Sequence, residues 1–131
     1  METKTVNPWK WQDQFGFSQA IEVKGAERVL YCAGQTSTNA DGSVKHAGDM
    51  KGQINLALDN LEIVLKQAGM TLSNVVRLNY YTPSVDALFE HYGALVGRLS
   101  AAGCQPASTL LGVTRLAFPE LLIEIEATAV A

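Results

Sequence analysis

The sequence predicts an α+β domain, a mixed sheet with two helices on one face, in the order β-β-α-β-α-β-β. Three observations carry this. Two segments place apolar residues at three- and four-residue steps, the signature of a one-sided helix. Runs rich in β-branched and aromatic residues precede, separate and follow them. The last run alternates, with Leu121, Ile123, Ile125, Ala127 and Ala129 on one face and Leu122, Glu124, Glu126, Thr128 and Val130 on the other. The 131 residues suit one domain, 1–131, in which 1–15 form an N-terminal arm.

Taken in order, Ala20 to Lys24 and Arg28 to Gly34 flank Gly25, Ala26 and Glu27, and read as a hairpin. Asn39 to Gly42 is a turn cluster in a longer loop. The first helix spans Asp49 to Ala68, with a stripe of Ile54, Ala57, Leu58, Leu61, Val64, Leu65 and Ala68. Asp49 is placed to cap its start and Gly69 to close its end. Leu56 and Ile63 lie seven residues apart off the stripe and suggest a second contact. Val75 to Thr82 is a strand ended by Pro83; lying between helices, it calls for a right-handed crossover and parallel pairing. The second helix runs from about Val85 to Leu99, with Ser84 as cap and a stripe that includes Leu88, Phe89, Tyr92, Leu95 and Leu99. Thr109 to Leu116 is a weaker strand, and Leu121 to Val130 closes the sheet.

This register leaves Arg77, Asn79, Tyr81, Glu124 and Glu126 pointing away from the helices. Such a face is either solvated or set against other subunits. Val75, Leu122, Val130, Leu56 and Ile63 are apolar residues that a monomer would expose, which shifts the weight toward assembly.

Composition excludes several classes of function. Apolar residues make up 47% and charged residues 18%, so the chain is not disordered. Ten Lys and Arg against thirteen Asp and Glu give −3, which argues against a broad nucleic-acid or anionic-membrane footprint. No apolar run approaches the ~20 residues of a membrane span, and METKTVNPWKW has no basic stretch leading into an apolar one, so a cytoplasmic protein is expected. Cys32 and Cys104 show no metal-ligand spacing and read as a reduced pair, Cys32 inert and Cys104 the more reactive. His46 and His91 lack neighbouring ligands, so neither a metal nor a cofactor is expected. No G-x-S-x-G, P-loop or G-x-G-x-x-G is present.

The segment Tyr31-Cys-Ala-Gly-Gln-Thr-Ser, the helix around Leu58-Asp-Asn-Leu, and Arg115-Leu followed by Ile123-Glu-Ile-Glu-Ala resemble the Rid family, the reactive intermediate deaminases, also called the YjgF family. The resemblance runs from about residue 15 to the C-terminus. It implies a chorismate-mutase-like α+β domain in a homotrimer, with ligand clefts between subunits. In the best-understood branch it also implies hydrolysis of enamines and imines released by pyridoxal-phosphate enzymes. An arginine after Pro-Ala then grips the substrate carboxylate bidentately, a final-strand glutamate handles water, and a tyrosine and a serine line the cleft.

Position by position, this sequence keeps the glutamate as Glu124 and departs elsewhere. Ser108 stands where the arginine belongs, Phe17 at the tyrosine, Ala33 at the serine before Gly34, and Leu110 at a small reactive residue. The resemblance makes Glu124 the catalytic candidate, with Phe17, Ala33, Gly34, Phe89, Ser108, Leu110 and Arg115 as substrate-binding candidates and Trp9 or Trp11 as further walls. Glu126 reads as a structural partner. A charged hydrogen bond contributes about 1.5–3 kcal/mol, so loss of the clamp weakens a 2-imino acid unless Arg77 or Arg115 substitutes. Three functions follow in order: a C=N or enamine hydrolase with a more apolar pocket, a trimer that binds a small molecule without turnover, and a ribonuclease, which the acidic balance disfavours.

Overall fold

The computed structural model describes residues 1–131. Its centre is a four-stranded mixed sheet in the order β3 (Val29–Gln35), β6 (Glu124–Val130), β4 (Val75–Thr82) and β5 (Ala107–Gly112). The β4–β5 pair is parallel, as the intervening helices require, and the other two pairs are antiparallel. The strand β2 (Ala20–Lys24) does not join this sheet by a hairpin. It pairs with an N-terminal strand β1 (Glu2–Val6), and β3 pairs with β6 instead. The expected turn is occupied by the end of the chain: the Glu27 and Arg28 amides both donate to the Ala131 carbonyl. β1 was legible only as part of an arm, because Glu2-Thr-Lys-Thr-Val has no apolar face to bury and is exposed throughout.

Helix α1 (Met50–Gln67) lies across one sheet face. The Asp49 carboxylate accepts from the Gly52 amide at 2.9 Å and caps its start. At its end Gly69 adopts φ 74°, with Gly69 N donating to Lys66 O and Met70 N to Leu65 O, a Schellman closure. Its stripe of Ile54, Ala57, Leu58, Leu61 and Leu65 is fully buried in one core with Leu78, Tyr80, Ile125 and Ala127. Ile63 stays 63% exposed, but Val75 and Val130 are buried within the chain, so they are not the free apolar surface the sequence suggested.

The second helix is broken. α2 (Val85–Glu90) ends and α3 (Tyr92–Ala101) begins around His91, at φ −117° and ψ 12°. His91-Tyr92-Gly93 is a run of weak helix formers, and the stripe continues across the break in Leu88, Leu95 and Leu99. Ser84 makes no side-chain cap; its amide donates to Thr82 Oγ1. β5 begins two residues before the expected strand and ends at Gly112, and β6 begins only at Glu124. No helix is long and apolar enough to cross a membrane. Both cysteines are free and buried. Cys104 is not the reactive thiol expected, because desolvation pushes it up to about 11.

Candidate functional site

Alternation along the strands sorts the candidate residues onto two sides of the sheet. Tyr80, Ile125 and Ala127 face the helices, and Glu124 and Glu126 therefore face away, paired in register with Tyr81 and Asn79. On that outer face Glu126 is held firmly: its Oε1 accepts from Asn79 Nδ2 at 3.0 Å and from Tyr81 OH at 2.9 Å. These bonds, aided by the Arg77 charge, lower its pKa. The Arg77 guanidinium itself donates to Thr109 Oγ1 at 2.8 Å. Asn79 Oδ1 is buried with no partner.

Glu124 is the opposite case. Its pKa is raised, first by desolvation and then by the charge of Glu126, and no cation or hydrogen bond counters either. The carboxylate lies over Gly34, where a Cβ would stand 2.4 Å from Glu124 Oε2. The approach comes from a bulge in β3: Cys32 pairs with Ala127 and Gln35 with Ile125, so β3 carries one extra residue opposite β6. A Gly34→Ala substitution should push the flexible glutamate aside without disturbing the core. The expected outcome is a melting temperature near wild type with the Glu124 carboxylate displaced from its place over residue 34, checked by calorimetry and a crystal structure of the variant. Ala33 sits beside this position on the exposed edge.

The other candidates meet on the helix side. A cavity of about 280 Å³ lies between β5 and the broken helix. The strands contribute Tyr80, Ser108 and Leu110, α2 and α3 contribute Phe89 and Tyr92, and the N-terminal arm contributes Trp11, Phe15 and Phe17. The break at His91 sets Phe89 and Tyr92 edge to face at 5.7 Å. Trp11 opens a 3₁₀ turn, Trp11–Phe15, and packs edgewise on Phe15 and Phe17 at 6.4 and 5.7 Å. Tyr92 OH ties that turn down by donating to Phe15 O at 3.2 Å.

Phe17, Phe89, Ser108 and Leu110 are thus brought together, and Trp11 joins them while Trp9 does not. Ala33, Gly34 and Glu124 are not part of that wall, so within one chain the candidate residues form two separate groups. Arg115 belongs to neither group; its Nε donates to the Leu116 carbonyl. Phe15, Tyr80 and Tyr92 escaped the sequence reading, the tyrosines because their helix and strand positions accounted for them as core. Gln53 also escaped, although it is a polar residue lying on the apolar stripe of α1. It is fully buried, and it donates to His46 O and Glu120 O while accepting from the Leu122 amide. No three His, Cys, Asp or Glu side chains are grouped closely enough to hold a metal ion.

The family model described as endoribonuclease L-PSP matches residues 12–131. The chain belongs to the Rid family, of which that model is one description. Like a RutC family protein of Pyrococcus horikoshii, with which it is 31% identical over 116 residues covering 86% of this chain and 85% of the other, this Rid protein extends the match over most of its length. The crystal structure of YyfB from Yersinia pestis, a Rid family protein of unknown function, is similar at a TM-score of 0.88 and 39% identity, covering all of both chains. The YjgF gene product of E. coli, at 23% identity and a TM-score of 0.70 over 88% of this chain and 87% of the other, shares the fold.

Proposed function

We propose that this Rid protein is a homotrimer that hydrolyses the C=N bond of a small imine or enamine at clefts between subunits, with Glu124 as general base. The observation that carries the reading is the Glu124 carboxylate: desolvated, held above its ordinary pKa, free of hydrogen bonds, and given space by Gly34. A carboxylate in that state is the better base toward water. One water proton passes to Glu124 as the oxygen bonds to the imine carbon. Glu124 hands that proton to the nitrogen, giving a neutral carbinolamine. The carbinolamine hydroxyl then passes its own proton through Glu124 to the nitrogen as the C–N bond breaks, leaving a carbonyl compound and ammonia.

Assembly is supported by the sheet itself. Glu124 and the aromatic cavity lie on opposite faces, so one small ligand can touch both only where two copies meet. The outer face also exposes 81% of Tyr31 and leaves Asn79 Oδ1 without a donor, both of which a neighbouring chain would address. A binding role without turnover is the second reading, favoured by a cavity wall that contains no acid or base other than tyrosine. A ribonuclease remains disfavoured by the net charge of −3.

The test uses two inactive chains. Glu124→Gln removes the base, and Leu110→Trp fills the cavity. Ammonia release is followed from uncharged imines that a flavin amine oxidase generates in place from primary amines such as benzylamine. Mixed by co-refolding, the two variants should recover activity, because about a quarter of interfaces then join an intact base to an intact cavity. A monomer by light scattering, or no recovery from well-mixed trimers, overturns the shared cleft. No ammonia from wild type on any imine leaves the binding role.

A further inference from the structure

We propose that the aromatic cavity selects a substrate carrying a flat, uncharged ring, with Ser108 as its polar contact. This rests on the cleft reading above and names its substrate class. The space is the first argument. A cavity of about 150 Å³ lined by Leu, Ile and Phe takes up benzene, so about 280 Å³ holds a ring and a short substituent. Shape is the second. The walls are rings set edge to face around the opening, an arrangement that offers both faces and edges to an incoming π-system.

Charge is the third argument and it excludes the carboxylate. No Lys or Arg lines the cavity. The four arginines are committed elsewhere: Arg28 to the Ala68 carbonyl, Arg77 to Thr109 on the far face, Arg98 to Asp59 and Glu62, and Arg115 to the Leu116 carbonyl. An anion entering this wall would be desolvated with no partner. The tyrosines add no charge, because burial raises the pKa of both Tyr80 and Tyr92 and keeps them neutral. Tyr92 already spends its proton on Phe15 O, which leaves the Ser108 hydroxyl, with that of Tyr80 deeper in the wall, to meet an amide, hydroxyl or imine group on the ring.

Titration calorimetry of the purified trimer with benzamide and with benzoate tests this. Benzamide should bind saturably and about tenfold or more tighter than benzoate. Trp11→Ala, at a half-exposed position, should weaken benzamide about fivefold while the melting temperature holds. Ser108→Arg should invert the preference toward benzoate. Equal or tighter benzoate binding by wild type, no saturable benzamide binding, or an unaltered affinity in Trp11→Ala overturns the proposal. The wild-type ammonia assay separates the two claims. Hydrolysis without benzamide binding removes the ring site alone. Benzamide binding without hydrolysis of any imine removes the catalytic reading and leaves a ligand site for aromatic rings.

Discussion

Glu124→Gln is expected to lower kcat for imine hydrolysis by about 10²- to 10⁴-fold, the range that a positioned base contributes, with KM little changed. The amide is isosteric and still fits above Gly34, but it accepts no proton. Because the Glu124 pKa is raised, turnover should fall as pH drops through that raised value, giving an acid limb displaced upward from that of an ordinary glutamate. Glu126→Gln should move this limb to lower pH. It removes the like charge while its amide oxygen still accepts from Asn79 and Tyr81. Stability runs the other way. A carboxyl with a raised folded pKa favours the folded state at low pH, and that contribution is lost as pH rises through the raised value. At neutral pH, Glu124→Gln should therefore melt at or slightly above the wild-type temperature. A variant that loses activity together with its fold, or a pH profile indifferent to Glu126→Gln, would count against Glu124 as the base.

What the sequence disclosed, and what it withheld, follows from the range of each interaction. The α1 stripe, its Asp49 cap and its Gly69 closure are local, so periodicity and capping residues exposed them. The outer-face placement of Glu124 and Glu126 followed from strict alternation in β6. The β1–β2 pairing did not, because it joins residues far apart in sequence and buries nothing that would mark β1 as a strand. The break at His91 is a local weakness in a stripe that otherwise continues, and tertiary packing decided it. The division of the candidate residues between the two sheet faces is set by strand pairing that the sequence does not display. Phe17, Ser108, Leu110 and Glu124 are the residues that the resemblance to the Rid family singles out, and parity in a sheet puts Leu110 beside Tyr80 and Glu124 beside Tyr81, on opposite faces. The resemblance implied clefts between subunits without assigning residues to either side of them; the register makes that assignment within one chain.

Gln53→Leu should cost about 3 kcal/mol or more and lower the melting temperature by about 10 °C, an effect unexpected for an apolar substitution on an apolar stripe. The side chain is fully buried, and its amide holds three backbone groups, one in the loop just before α1 and two in the distant segment before β6. Nε2 donates to His46 O at 3.1 Å and to Glu120 O at 2.9 Å, while Oε1 accepts from Leu122 N at 2.8 Å. Leucine fills the space but leaves the Glu120 carbonyl and the Leu122 amide without the Gln53 partner, while the His46 carbonyl keeps only the Asp49 amide. The penalty for those groups outweighs the gain from a few buried methyl carbons. Leu122 stands two residues before Glu124, so this amide also fixes where β6 begins and how its catalytic candidate is presented. Leu58→Ala is the control. It should destabilise by a comparable ~2–5 kcal/mol through cavity formation, yet retain kcat well below its melting temperature, because Leu58 supports the sheet from the helix side only. Gln53→Leu should lose kcat under the same conditions. Equal kcat in the two variants would reduce Gln53 to a packing element, whereas a selective loss would make it the residue that holds the outer-face carboxylate in place from inside the helix.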